Sequence, residues 1–299
     1  MFSDKYDLNQ LQEQVGILEN IFEKVRIIDP IKKLLINAED LQPLDLETHC
    51  YDFWQNSKIC ENCVSIRAFN EQKTMIKFEF SENKLYMVTA IPLKIADRLV
   101  ILEIIKDISD AQMIDNFDEA RSIDIAKHLN NADDRLIKDE LTKVYNKRFI
   151  NERLPHEIFN SVLNEKHLSI IMADIDNFKS INDQYGHVFG DYVLQEFANE
   201  LSRAIRRDID WIARYGGDEF LIFLKETNKE DAFIAAERMR KGIEKMELKL
   251  EQITIRISAS FGICTTFKEE LTIDEIIDCA DKNLYCAKES GRNRVRGQD

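Results

Sequence analysis

The acidic pair Asp218-Glu219 follows two glycines in the stretch Arg214-Tyr215-Gly216-Gly217-Asp218-Glu219-Phe220. Apolar residues alternate before it at Ile209, Trp211 and Ala213, and after it at Phe220, Ile222 and Leu224. Period-two alternation on both sides of Gly-Gly predicts two antiparallel strands joined by a tight turn. Gly216 and Gly217 tolerate positive φ and leave the backbone bare enough for a ligand to approach. Asp and Glu are disfavoured in strands, so a hairpin does not gain stability from them. Taken alone, the pattern also suits a solvated turn. A second stretch favours chemistry: His167 to Ala173 is an apolar run suited to a buried strand, and it ends on Asp174-Ile175-Asp176. Carboxylates at a strand end beside a carboxylate hairpin make an oxygen-rich site suited to Mg²⁺. That ion binds through one or two carboxylates and completes its shell with water and substrate phosphates.

Four spaced motifs together resemble a known family. They are DELTKVYNKRF from Asp139, DIDNFKSINDQYGHVFGD from Asp174 to Asp191, RYGGDEF from Arg214, and YCAKESGRNR from Tyr285 to Arg294. The chain from Leu136 to Val295 resembles the GGDEF-type diguanylate cyclases, which condense two GTP molecules into cyclic di-GMP. One departure is Lys143, where the family usually has Gly; the position precedes the site, so activity is expected to survive.

The resemblance implies roles residue by residue. Asp174 and Asp218 would hold Mg²⁺ (or Mn²⁺), with the Ile175 carbonyl as a further ligand. Either Asp218 or the metal would help deprotonate the attacking 3′-hydroxyl, and Glu219 would be an accessory ligand. Asn182 and Asp191 match the guanine-reading positions; a carboxylate accepts from the N1–H and N2–H₂ of guanine, a donor pair that adenine lacks. Backbone N–H groups around Phe178 and Lys179, with the cations Lys288 and Arg292, would meet the phosphates. The four-residue spacing of Lys288 and Arg292 predicts that they share a helical face. Arg207-Asp208-Ile209-Asp210 matches the RxxD motif of an inhibitory product site, with Arg207 on phosphate and guanine, Asp210 on a guanine edge, and Arg238 as the secondary arginine. One GTP per domain requires two facing copies for one product, hence a homodimer.

A net charge of −14 over 299 residues argues against sequence-independent binding to nucleic acid, which relies on phosphate neutralisation. This weighs against a polymerase-like enzyme. No apolar run approaches the ~20 residues of a membrane span, and the N-terminus MFSDKYDLNQ lacks the regions of a signal peptide. A cytoplasmic protein is expected, with its six cysteines as reduced thiols or metal ligands rather than disulfides.

The length suits two domains. Leu8, Leu11, Val15, Leu18, Phe22 and Val25 follow 3-4 spacing, predicting an amphipathic helix over 1–24 that packs on its own domain or on another chain. Over 25–109, strand candidates Val25–Asp29, Lys33–Asn37, Thr74–Phe80, Leu85–Pro92 and Leu99–Asp107 end in an antiparallel meander. With the closing Asp107-Ile108-Ser109-Asp110, this segment resembles a PAS sensory domain. Within it, His49-Cys50 and Cys60-Glu61-Asn62-Cys63 suit a Zn²⁺ or Fe–S site, redox-active thiols, or inert buried cysteines. A helix over 110–138 would link this domain to 139–299 and pair in a dimer.

The second domain alternates strand and helix, with apolar helical faces at Leu194, Phe197, Leu201 and Ile205 and at Phe233, Ala236, Met239, Ile243 and Met246. A strand over Ile253–Ala259 and a helix over Ile273–Lys288 follow. The expected fold is α/β (α+β), a ferredoxin-like palm-type cyclase domain with an antiparallel hairpin. The expected function is a cyclase regulated by its sensor and its product. A non-catalytic receptor for GTP or cyclic di-GMP is the alternative, though degenerate family members of that kind typically lose site residues that are all present here.

Overall fold

The structure, a computed structural model, describes residues 8–54, 59–81, 84–95, 98–109, 136–207, 209–250, 252–269 and 271–297. The chain divides into two compact units, Met1–Leu136 and Ile137–Asp299. Most of the linker expected over 110–138 lies outside the described residues.

The first unit is built on β1 (Lys24–Asp29), β2 (Leu34–Ile36), β3 (Met75–Ser81), β4 (Lys84–Ile95) and β5 (Arg98–Asp107). They form one antiparallel sheet in the order β2-β1-β5-β4-β3. Strand alternation sends Val25, Ile27, Val100 and Leu102 to one face and Ile28, Val88, Ile101 and Ile105 to the other. Helix α1 (Leu8–Glu19) lies on the first face through Val15 and Leu18. It ends sooner than expected: Phe22 follows the helix and Val25 belongs to β1, so the apolar spacing crosses a helix-to-strand boundary. Its packing is with its own unit. The second face is covered by a 3₁₀ turn, Cys50–Trp54, and by α2 (Val64–Glu71).

The second unit is a six-stranded sheet, ordered β13-β12-β7-β9-β8-β6. Its strands are β6 (Tyr145–Asn146), β7 (His167–Ile175), β8 (Trp211–Gly216), β9 (Glu219–Lys225), β12 (Ala259–Phe267) and β13 (Val295–Arg296). The apolar run that predicted a buried strand is β7, with antiparallel neighbours β12 and β9. It is buried on both faces. Ile171, Ala173 and Ile175 meet α5 (His187–Ala204) and α6 (Lys229–Lys245); Leu168, Ile170 and Met172 meet α3 (Lys147–Leu163) and α7 (Ile273–Glu289). Helix α4 (Phe178–Tyr185) follows directly on the end of β7.

Four expectations need correction. The strand expected over Ile253–Ala259 is divided: β11 (Ile253–Ile255) pairs with β10 (Leu248–Leu250) in a separate ribbon, and β12 begins at Ala259. Phe233 is exposed, because the buried face of α6 runs through Ala232, Ala236, Met239 and Ile243. Ile209 is exposed too, since β8 starts at Trp211. Cys264 of β12 and Cys279 of α7 form a disulfide, where reduced cysteines were expected. The two residues meet because α7 lies directly on β12. A Cβ on Gly262 would run into the backbone of Ala280 and Leu284, so only glycine allows this approach.

Candidate active site

The last turn of β7 and the tip of the β8–β9 hairpin meet at one end of the sheet. Asp174 pairs across the ladder with Glu219 on one side and with Ser260 on the other. The hairpin turn consists of Gly217 and Asp218, with β8 ending at Gly216. Gly217 takes φ +55°, a conformation that glycine adopts at little cost. Gly216 does not; instead the register shifts between Arg214 and Gly216, a bulge that re-aims the tip.

Asp174 is buried, and its carboxylate pairs with Lys288 Nζ at 2.7 Å. Burial pushes its pKa up to about 6, and the charges of Asp218 and Glu219 add to that, while Lys288 opposes them. Glu219 is also raised, first by burial and then by Asp281 and Asp218, against the pull of Lys288 and Lys147. The site thus concentrates negative charge beyond what Lys288 balances. Among the described residues no three His, Cys, Asp or Glu side chains converge on one ion position. Magnesium asks for less, one or two hard carboxylate oxygens, which Asp174 and Asp218 could supply at this strand end and hairpin tip.

Beyond β7 the chain turns at Asn177, whose φ is +59°, into α4. Intrahelical bonding begins at Ser180 and Ile181, whose N–H groups donate to the Asn177 carbonyl at 2.9 and 3.4 Å. The amides of Phe178 and Lys179 precede it, at the positive end of the helix. Asn182 sits on the same helix with its side chain against Gly190, where a Cβ would collide with Asn182 Oδ1. Asp191 is the next residue and is exposed. The two expected guanine-reading residues therefore flank the α4–α5 junction, Asn182 against Gly190 and Asp191 next to it in sequence.

Lys288 and Arg292 do not share a helical face. Helix α7 ends at Glu289, and Arg292 lies in the following loop with φ +59°, its N–H donating to the Ala287 carbonyl at 3.1 Å. Gly291, at φ +112°, makes that reversal.

Two further features, the Arg214 latch and the Asp176 tie, shape the site without having stood out in the sequence. Arg214 donates from Nε to the Gly217 carbonyl at 2.8 Å and from a terminal nitrogen to Asp139 at 3.2 Å, latching the hairpin tip to the DELT turn. Asp139 also accepts from Thr142 N–H and Oγ1. The Asp-x-x-Thr spacing of an Asx turn was the available signal. Asp176, two residues beyond Asp174, is buried and accepts from Ser258 Oγ and Ser260 Oγ at 2.6 Å and from Asn293 N–H at 3.0 Å. It ties the loop containing Arg292 to the strand end, and its oxygens are occupied in doing so. Lys143, where the resembled family has Gly, adopts φ +62°; the strain there is on the order of 1 kcal/mol.

At the opposite end of the sheet, Arg207 and Arg238 are exposed, the latter donating to the Ala204 carbonyl at 2.6 Å. Asp210 departs from the sequence reading. Its Oδ2 accepts from Arg206 N–H at 3.0 Å and Nε at 2.8 Å; its Oδ1 accepts from an Arg206 terminal nitrogen at 2.6 Å and from Lys225 N–H at 3.1 Å. Both oxygens are filled, so none is left to read a guanine edge.

In the first unit, Cys50, Cys60 and Cys63 line one small cavity. His49 does not join them: its ring stacks on Tyr51 and lies 3.9 Å from Asp52. In its place among the sulfurs is the ammonium of Lys33, 3.5 Å from Cys63 Sγ. A cation there opposes a second, metallic one, so the Zn²⁺ or Fe–S expectation finds no support.

A palm-like sheet with carboxylates at a strand end and a hairpin tip defines a class of nucleotide-handling domain, and comparison with known proteins narrows it. The family model for the diguanylate cyclase GGDEF domain matches residues 136–294, and the chain belongs to that family. Diguanylate cyclase A of Treponema denticola is 42% identical over 128 residues, which are 43% of this chain and 34% of that protein. The chain spans about a third of the length of the curated relatives it matches. Among solved structures, the coiled coil and GGDEF domain of DgcB from Caulobacter crescentus, in complex with c-di-GMP, is similar. It shares 25% identity at a TM-score of 0.56, with 60% of this chain and 94% of that one covered. Diguanylate cyclase SiaD from Pseudomonas aeruginosa, in complex with its activator SiaC, shares 32% identity at a TM-score of 0.54, with 60% and 68% covered. No described helix is long and apolar enough to cross a membrane.

Proposed function

We propose that this protein is a cytoplasmic diguanylate cyclase that condenses two GTP molecules into cyclic di-GMP and two pyrophosphates. The observation that carries the reading is the meeting of Asp174, Asp218, Glu219 and Lys288 at one strand end, next to the open amides of α4 and the Asn182–Asp191 pair. In the reaction the 3′-hydroxyl of one GTP attacks the α-phosphate of the other. Asn182 and Asp191 hold guanine by its amide and donor edges, so the base fixes where the ribose lies. The Phe178 and Lys179 amides, Gly217 at the tip, and Lys288 and Arg292 face the phosphates. Asp218 takes the hydroxyl proton, and Glu219 sets the charge of the site beside it. A Mg²⁺ (or Mn²⁺) ion on Asp174, Asp218 and the Ile175 carbonyl would neutralise phosphate charge and acidify the hydroxyl.

One domain supplies one GTP, so the active species is a homodimer of facing half-sites. The five-stranded antiparallel sheet of the first unit supports a PAS-like sensor over 25–109 that governs the encounter. Product acts back through Arg207 and Arg238. Asp210 takes no part in that recognition here, being committed to Arg206. The test is incubation of purified protein with GTP and Mg²⁺, followed by chromatography for cyclic di-GMP and pyrophosphate. GTP binding without product would turn the reading into that of a receptor.

A further inference from the structure

The turn between β1 and β2 buries a lysine. Lys33 is 2% exposed, at φ +62°, and its carbonyl accepts from Cys50 N–H at 2.8 Å. Non-glycine residues are rarely held at positive φ, and buried lysines are rarer still. Its ammonium donates to Cys63 Sγ at 3.5 Å, and no carboxylate among the described residues pairs with it. Burial alone would push the Lys33 pKa down, but Cys63, Cys50 and Cys60 together leave it raised. The group therefore stays charged, with Cys63 Sγ as its hydrogen-bond acceptor.

The surroundings narrow the chemistry. Cys63 is the N-cap of α2, at the positive end of the helix. A turn at Glu61-Asn62 separates it from Cys60, and the two sulfur-bearing residues line the same cavity. Both are half-buried, whereas Cys50 is buried. The cavity they line has a volume of about 20 Å³, room for a molecule the size of water and none for a flavin or haem. Arg26 and Glu103 neutralise each other within it, and Ser65 Oγ donates to Glu103 at 2.6 Å, so neither charge is open to a ligand.

We propose that Cys63 is a modification site: a thiol activated by Lys33 that hydrogen peroxide, or a hydroperoxide of similar size, oxidises, and that Cys60 resolves into a Cys60–Cys63 disulfide. The Cys63 thiolate attacks one peroxide oxygen; the S–O bond forms, the O–O bond breaks, and hydroxide leaves to take a proton from solvent. Cys63 is thereby oxidised by two electrons to a sulfenic acid, the transferred oxygen keeping its own hydrogen. The Cys60 sulfur then attacks Cys63; the S–S bond forms, the S–O bond breaks, and water departs with the Cys60 proton. Two thiols and one peroxide yield one disulfide and two waters. Burial and the neighbouring charge of Cys63 push the Cys60 thiol up to about 12. The second of those influences vanishes when Cys63 becomes a neutral sulfenic acid, which orders the two steps. The site lies outside the cyclase domain and does not depend on the cyclase reading.

The test uses the full chain, with exposed Cys286 as internal reference. Treatment with about one equivalent of hydrogen peroxide is expected to give a Cys60–Cys63 disulfide in the peptide map. Cys60→Ser is expected to trap a dimedone adduct on Cys63. Lys33→Met is expected to slow iodoacetamide alkylation of Cys63 by roughly tenfold, since the ammonium no longer faces the sulfur, with Cys286 unchanged and Lys33→Arg restoring the rate. Cys60 and Cys63 still free after peroxide would overturn the proposal. So would a dimedone adduct confined to Cys286, a Lys33→Met protein of native circular dichroism that alkylates at the wild-type rate, or one equivalent of zinc on these cysteines. If Lys33→Met does not fold, the Cys60→Ser adduct decides.

Discussion

Asp174 and Asp210 stand at opposite ends of one sheet, separated by roughly 20 Å of strand. Both are buried, 6% and 8% exposed. Asp210 has every acceptor site filled: Arg206 grips both oxygens, and the Lys225 amide completes the set. Asp174 has one ion pair and two acidic neighbours, and its pKa rises to about 6. The first is a carboxylate whose needs the fold has met. The second is one whose needs the fold has left for something to bind. Burial and residue type are the same, so the number of donors around each oxygen distinguishes a structural acid from a candidate catalytic one.

The largest expected effect breaks the binding end. Asp218→Asn should lower cyclic di-GMP formation by at least roughly a hundredfold while leaving the thermal midpoint near that of the wild type. A well-folded variant with normal turnover would remove Asp218 from the chemistry.

Two adjacent arginines sharpen the other end. Arg207→Ala should weaken product inhibition by roughly ten- to a hundredfold, the worth of a charged hydrogen bond, with little change in initial rate. Progress curves with added cyclic di-GMP read this out. Equal inhibition of wild type and variant would move product to the GTP site.

A pH experiment tests the unmet charge of Asp174 directly. A carboxyl raised in the folded state favours folding fully below its ordinary pKa, and that contribution is lost as pH rises through the folded value. Without divalent cation, urea midpoints should therefore fall between about pH 4 and pH 6, the window from the unperturbed to the raised pKa. Asp174→Asn should flatten that slope, and added Mg²⁺ should restore stability on the high-pH side. An unchanged slope in the variant would show that Asp174 is not the group responsible.

The smallest effect falls on Arg206, whose guanidinium is half-exposed while Asp210 is buried. Arg206→Ala should cost about 1–2 kcal/mol in chemical denaturation, discounted for solvent screening, with turnover retained. Stability equal to that of the wild type would show that Asp210 does not depend on its neighbour.

Much of the active end was legible in the chain. The apolar run at His167–Ala173 suited a buried strand, the alternation around Gly-Gly suited a hairpin, and the four motifs together resembled the family. The Asp139–Arg214 latch escaped because its partners lie 75 residues apart. No pattern of spacing links such positions. The roles of Asp176 and Asp210 escaped for a different reason, because an acid in a sequence does not show how many donors will surround it.

Local order is a matter of neighbours along the chain, so side-chain periodicity, turn residues and motif spacing determined the strands, the hairpin and the family from the sequence alone. Which acid is satisfied and which is not, and which lysine is buried among sulfurs, are matters of neighbours in space. Only packing decided these: α7 pressed onto Gly262 to aim Lys288 at Asp174, the β1–β2 turn carrying Lys33 to Cys63, and the β8–β9 register setting Asp210 beside the Lys225 amide. Electrostatic free energy depends on distance and desolvation, and neither is defined until the chain has folded.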